Sequence, residues 1–262
     1  MPQDAWNPQQ YERFKDERSQ PFYDLLALVQ PAAGGCAVDL GCGTGELTAV
    51  VHRHLQVRQT TGIDHSANML EKSQAIAAAG LRFERAEIGE FARRCTQTPG
   101  AYDVVFSNAA LHWLPQHEEL LRGLTAGLRE RGQIAVQVPA NHDHPSHISA
   151  AEVAGGAPFR DALREPPRRK PVLDPEAYAV LLSRLGYREQ HVRLQVYGHW
   201  LGSRDEVVEW VKGTLLTHYQ RQLPAELFAR FLERYRERLL PQLDDTRPYF
   251  YPFKRILFWA RR

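Results

Sequence analysis

Val38-Asp-Leu-Gly-Cys-Gly-Thr-Gly45 is the stretch on which the reading of this chain turns. A short apolar run beginning at Cys36 passes straight into a glycine-rich turn, and the turn opens a helical pattern over residues 46–54. Gly41, Gly43 and Gly45 allow backbone to come close to a ligand. The helix start then offers N–H groups that have no partner within the helix. A Gly-x-Gly-x-Gly run alone is a weak signal, because dinucleotide sites use glycines in the same way. Two details separate the readings. The dinucleotide pattern places its third glycine one position later, and here an acid, Asp39, stands inside the strand before the first glycine. Its charge repels a pyrophosphate and suits a ligand that carries an amine.

The second acid is Asp64, 25 residues after Asp39 and at the end of the next expected strand, Thr60-Thr-Gly-Ile-Asp64. That position is the mouth of the same crevice in an open α/β sheet. A carboxylate there can accept from both hydroxyls of a ribose, and Ser66 is already available to cap the helix over 67–79 that Gly80 ends. Further strands are expected at 36–40, 81–85, 102–107, 133–138, 189–198 and 250–260, with a helix at 117–128. Strand–helix alternation with tight loops implies a parallel sheet covered by helices on both faces.

At the amino end, residues 10–18 are polar with two aromatics, and Pro21 is expected to open a helix over 22–29. Residues 139–171, rich in Pro, His and Arg, read as a partly helical insertion. A capped helix is expected at 174–185, and amphipathic helices at 203–218 and 225–240, before the last strand. The expected organisation is a lid at 1–30, a sheet domain at 31–202 and 243–262 that carries the 139–171 insertion, and a helical cap at 203–242.

Composition bounds the class. Of 262 residues, 33 are Lys or Arg and 31 are Asp or Glu, a net charge of +2 that argues against a dedicated nucleic-acid binder. Apolar content is 43%, which argues against disorder. No apolar run is long enough to span a bilayer, and the amino terminus lacks a secretion-signal pattern. Three cysteines, Cys36, Cys42 and Cys95, match neither a zinc pattern nor a disulfide framework, and a cytoplasmic setting is expected.

The glycine loop and Gly62-Ile-Asp64 together resemble class I S-adenosylmethionine-dependent methyltransferases. The resemblance implies a Rossmann-like sheet of seven strands, mostly parallel with the last antiparallel, plus a small helical cap. It implies that Asp39, Gly41, Cys42, Gly43 and Gly45 hold the methionine end of S-adenosylmethionine and Asp64 the ribose. His65 and Met69 would flank the adenine, and Glu87, followed by Ile88, stands where the family often has an Asp for the adenine amino group. Asn108, in Ser107-Asn-Ala-Ala110, falls where the family contacts cofactor and substrate.

The whole chain is similar to the trans-aconitate methyltransferase family, which esterifies a carboxylate of a small polycarboxylic acid. The matching segments run from Trp6-Asn-Pro8, with Tyr11, Phe14 and Glu17-Arg18, through Leu111-His-Trp-Leu-Pro115, Val136-Gln-Val-Pro139, Arg164-Glu-Pro166 and Glu209-Trp-Val211, to Arg255. This likeness implies that Tyr11 and Arg18 cover the cofactor from the lid. His112, Trp113, Trp210, Arg247, Tyr249 and Arg255 are the substrate candidates, and S-adenosylhomocysteine is the product. The family usually has Ser or Gln where His112 stands, which leaves open another small acid or a natural-product hydroxyl as the acceptor. A non-catalytic cofactor-binding or RNA-binding protein is the remaining alternative.

The chemistry is consistent with these residue types. Methyl transfer from a sulfonium is an in-line displacement, and a carboxylate is ionised at neutral pH, so no general base is required. Arg, Tyr and His donors suffice to hold the other charges. A hydroxyl acceptor would want a base, for which His112 is the candidate. His142, His144 and His147 have no partners at metal-ligand spacing and read as an exposed loop, so no metal is expected. Arg168-Arg169-Lys170 reads as a solvated charge run beside Asp161, Glu165 and Asp174. Cys42 reads as a packing residue, and the partner expected is a small anionic metabolite, with no membrane. Trp210 packs either on substrate or on the sheet.

Overall fold

Cys36–Leu40 is apolar except at Asp39, and its last four residues are buried. Strands covered on both faces read as such runs, and this one (β1) lies in the middle of a sheet. The computed structural model of the chain describes residues 15–167 and 172–262. The elements follow in order: α1 (Lys15–Leu26), β1, α2 (Glu46–Leu55), β2 (Gln59–Asp64), α3 (Ala67–Gln74), β3 (Leu81–Arg85), α4 (Ile88–Gln97) and β4 (Tyr102–Asn108). After a 3-10 turn at Leu111–Trp113 come α5 (His117–Ala126), β5 (Leu128–Pro139), α6 (Pro145–Ala154), α7 (Phe159–Ala162), α8 (Pro175–Arg184) and β6 (Glu189–Leu201). The chain closes with α9 (Asp205–Lys212), α10 (Thr217–Gln220), α11 (Ala225–Leu239), a 3-10 turn at Leu240–Gln242 and β7 (Tyr249–Arg261).

The seven strands form one sheet in the order β3-β2-β1-β4-β5-β7-β6. β1, β2, β3, β4 and β5 pair in parallel, and β7 pairs antiparallel with β5. The order reverses between β1 and β4, which is where open α/β sheets leave a crevice at the carboxyl ends of their strands. Asp39 lies one residue before the end of β1, and Asn108 ends β4; these two strands flank this point.

The register assigns faces. Asp39 pairs with Phe106, Asn108 with Gln137, Gln137 with Leu257, and Pro139 with Arg255. Alternation along each strand therefore puts Asp39, Phe106, Asn108, Gln137 and Arg255 on one face. α1 packs on that face, with the ring of Phe22 edge-on to Phe106 at 5.6 Å.

The chain divides into two compact units. One gathers Arg18–Pro139, Val172–Gln195 and Arg255–Arg262, and holds the crevice. The other includes Ala140–Pro171 and Val196–Lys254, so the insertion belongs with the late helices. Its core is aromatic: α11 buries Phe228, Phe231, Tyr235 and Leu239 along one stripe, beside Trp210, Tyr219, Tyr251 and Phe253.

Several elements differ from expectation. Pro21 does not open a helix; it lies inside Lys15–Leu26. Phe22, Leu25, Leu26 and Val29 are fully buried, so this part of the expected lid is core. α4 was not expected at all, because its buried residues Phe91, Ala92 and Cys95 are interspersed with Arg93 and Arg94. α3 ends at Gln74, and Ala78 instead forms a β-bridge with Leu81. The helix expected over 203–218 is two helices, broken at Gly213.

Candidate active site

The turn after β1 is held by backbone bonds to the neighbouring strand: Gly41 and Cys42 both donate to the carbonyl of Ile63, at 2.7 and 3.0 Å. Gly41 has φ +78°, and a Cβ there would lie 2.3 Å from the Cβ of Ala110, so only glycine fits between the loop and the end of β4. Gly43 has φ +56° and nothing within 4 Å of a Cβ position, so it faces open space. α2 then begins behind Gly45 with no side-chain cap. Its first N–H groups are the donors that a helix start presents to a negative group.

Asp64 reaches back into this loop. One carboxylate oxygen accepts from Gly43 N–H at 3.0 Å and the other from Ser66 N–H at 2.9 Å. Ser66 Oγ in turn accepts from Met69 N–H at 3.3 Å and caps α3. Asp64 thus does local structural work beyond that of a ligand-facing acid, while each oxygen keeps acceptor capacity.

Asp39 is 5% exposed and accepts from Thr48 Oγ1 at 2.6 Å. Burial pushes its carboxyl up to about 7, the Thr48 hydrogen bond lowers it, and the charge of Asp64 raises it further. Burial and the same two carboxylates also push the Cys42 thiol up, which keeps it protonated and unreactive. A buried carboxylate raised in this way beside an open glycine turn forms a site that a cationic ligand would relieve. The donor set therefore fits the amine and the ribose of the cofactor that the resemblance implies.

Beyond β4 the backbone makes a strained corner. Ala109 has φ +54°, unusual for a residue with a Cβ, and its N–H donates to the carbonyl of Gln137 at 2.9 Å. The corner turns Ala110 towards Gly41. His112 and Trp113 follow in the 3-10 turn, both half-buried, with ring centroids 4.6 Å apart. Ile88 starts α4 and lies 3.9 Å from the Cβ position of Gly41, so the loop after β3 closes on the same turn. Met69 is buried, while His65 and Glu87 are exposed at the ends of their loops. Arg255 is 5% exposed, and its Nη1 donates to Gln137 Oε1 at 3.4 Å.

Asp39, Gly41, Cys42, Gly43, Gly45, Asp64, Ile88, Asn108 and Arg255 are thus gathered at the carboxyl ends of the central strands. Trp210, Arg247 and Tyr249 belong to the other unit. Trp210 is 1% exposed and packs on His199, Tyr251 and Phe253. Arg247 is exposed, and Tyr249 is buried with its hydroxyl pushed up by burial. Tyr11, the side chain of Arg18, and Arg168-Arg169-Lys170 lie outside the described residues.

The histidine-rich segment is not an exposed loop. His144 accepts from Ser146 N–H at the start of α6, and Ser146 Oγ lies 2.9 Å from His144 Nδ1 and 3.1 Å from His147 Nδ1. Burial lowers His144 to about 4 and His147 to about 3, so both are neutral helix-start partners. Among the described residues, no group of three or more His, Cys, Asp or Glu could hold a metal ion. No helix among them is long and apolar enough to cross a membrane. Sequence reasoning missed Gln137, a polar residue inside an apolar run; its fully buried side chain becomes significant only when the strands are paired.

Comparison with known proteins agrees with this fold. Residues 33–163 match the methyltransferase domain family. Trans-aconitate 2-methyltransferase of Deinococcus radiodurans is 42% identical, over 98% of each chain. The enzyme of the same name from Streptomyces avermitilis is 36% identical over 98% of this chain and 97% of its own. In fold, the YcgJ protein of Bacillus subtilis superposes with a TM-score of 0.60 at 13% identity, covering 92% of this chain and 97% of its own. By sequence over nearly its full length, the chain belongs to the trans-aconitate 2-methyltransferase family.

Proposed function

We propose that this protein transfers the methyl group of S-adenosylmethionine to a carboxylate of trans-aconitate, giving a methyl ester and S-adenosylhomocysteine. The observation that carries the reading is the pair Asp39 and Asp64, two buried carboxylates set against an open glycine turn, in a chain similar over nearly its whole length to enzymes of that name. The cofactor supplies an electrophilic methyl on a positively charged sulfur. In this reading Asp39 and the backbone of Gly41 and Gly43 hold its amino-acid end, and Asp64 accepts from the ribose hydroxyls. Met69 and Ile88 offer apolar surface to the adenine, with Glu87 at its rim.

The protein's own task is alignment and exclusion of water. The acceptor oxygen is already ionised, so no side chain has to take a proton. Arg255, buried at the crevice end of β7, holds the substrate's non-reacting charge, and His112 and Trp113 form a half-buried wall after β4. The substrate is a small anionic metabolite, and the setting is the cytoplasm, where the three free cysteines remain reduced. Incubation of purified protein with S-adenosylmethionine and trans-aconitate should yield a product heavier by one methylene, read by mass spectrometry. Consumption of neither compound would overturn the reading.

A further inference from the structure

Gln137 is 0% exposed, yet one end of its amide has a partner and the other does not. Its Oε1 accepts from Arg255 Nη1 at 3.4 Å, and its Nε2 has no hydrogen-bond partner among the described residues. On the neighbouring strand its register partner Asn108 has the same defect with the opposite sign: Oδ1 is buried and accepts from nothing among the described residues. No hydrogen bond joins the two amides. Buried polar groups are almost always paired, and exceptions concentrate where a ligand completes the set. Both lie on the Asp39 face of the sheet, at the carboxyl end of β4 and β5, beside the topological switch.

The acceptance from Arg255 fixes which end of the Gln137 amide is which. Nε2, a donor, is left unpaired among the described residues, beside a guanidinium that is itself only donors. A donor amide beside an arginine makes a forked receptor for one carboxylate, one oxygen to each group. An alcohol or an amine substrate would leave this fork unmatched.

We infer that Gln137 is a specificity-determining residue: with Arg255 it clamps a carboxylate of the substrate, while Asn108 Oδ1 stays available to a donor on the cofactor side. The clamp selects substrates with a second anionic group, because the carboxylate it holds is not the one that reacts. The inference rests on the reading that the substrate is a small polycarboxylate.

The test uses the full chain saturated with S-adenosylhomocysteine, so that no methyl transfer occurs, and propane-1,2,3-tricarboxylate as the probe in calorimetry. Gln137→Glu keeps the acceptor for Arg255 and replaces the donor by a charge; Gln137→Leu removes both. Both variants should bind the tricarboxylate about tenfold or more weakly, the effect of one lost charge-assisted hydrogen bond, with unchanged affinity for S-adenosylhomocysteine. Equal tricarboxylate binding in wild type and variants, no binding by wild type, or a parallel loss of S-adenosylhomocysteine binding would each overturn the clamp. Wild-type turnover of trans-aconitate, measured alongside, separates the two ideas. Ester formation with equal binding removes Gln137 and leaves the activity standing, whereas no ester with a lost clamp does the reverse.

Discussion

Thr48 Oγ1 donates to the Asp39 carboxylate at 2.6 Å, joining the first helix behind the glycine turn to the strand in front of it. Both side chains are buried, and the bond opposes the burial that holds the Asp39 carboxyl at about 7. A cationic ligand needs the ionised form. Affinity for S-adenosylmethionine should therefore weaken as pH falls below about 7, approaching tenfold per pH unit, in calorimetry from pH 5.5 to 8.5. Thr48→Val should move the onset about one pH unit higher. A flat profile in the wild type would remove Asp39 from the cofactor's amine.

The same carboxyl predicts a stability effect of opposite sense. Its ordinary value is 3.8, so in the free protein the cost of ionising it in the folded state is absent below about 4, grows as pH rises, and is complete above about 7. Asp39→Asn should thus be more resistant to urea than wild type at pH 8 and equal to it near pH 4, while binding the cofactor more weakly. Loss of stability at pH 8 would show that Asp39 is a structural acceptor.

Asp64 serves two backbone donors, Gly43 N–H and Ser66 N–H. Asp64→Ala should abolish cofactor binding in calorimetry and also lower stability by about 2 kcal/mol, since two amides lose their acceptor. Asp64→Asn, which keeps one acceptor oxygen, should recover part of the stability and little of the binding. Full affinity in either variant would overturn the ribose assignment.

Two glycines of one turn should respond differently to the same change. Gly41→Ala meets both a left-handed φ and the Cβ of Ala110 at 2.3 Å, and should cost about 3 kcal/mol in denaturant melts. Gly43→Ala meets only its φ and should cost about 1 kcal/mol. Equal costs would mean that the end of β4 yields to the loop.

His112→Ala separates the acceptor chemistries. A carboxylate needs no base, so kcat on trans-aconitate should stay within about tenfold of wild type, whereas loss of a base acting on a hydroxyl costs about 100-fold or more. A loss of that larger size, with cofactor affinity intact, would favour a hydroxyl substrate.

Much of this was legible in the sequence because the central strands are buried on both faces. Cys36–Leu40, Gln59–Asp64 and Tyr102–Asn108 stand out as short strands between turns, with the acids Asp39 and Asp64 near the ends of the first two. The seven strands, the antiparallel last strand and the helices between the final two strands all appear where the alternation and the family likeness put them. Long-range packing hid the rest. α4 is only ten residues long, and its helical stripe of Phe91, Ala92 and Cys95 is set among charged residues. Pro21 is tolerated mid-helix because Phe22, Leu25 and Leu26 are seated in the core. Trp210 shows no sign in the sequence that His199 and Tyr251 will surround it. Gln137 acquires meaning only once β5 lies between β4 and β7.

The two backbone bonds to Asp64 also bear on how fast and how tightly a ligand is taken up. A carboxylate on a free side chain must surrender its rotamers when it is bound, and that loss subtracts from affinity. Here Gly43 and Ser66 have already immobilised it on folding. The incoming nucleoside meets an acceptor that has no conformational search left to make.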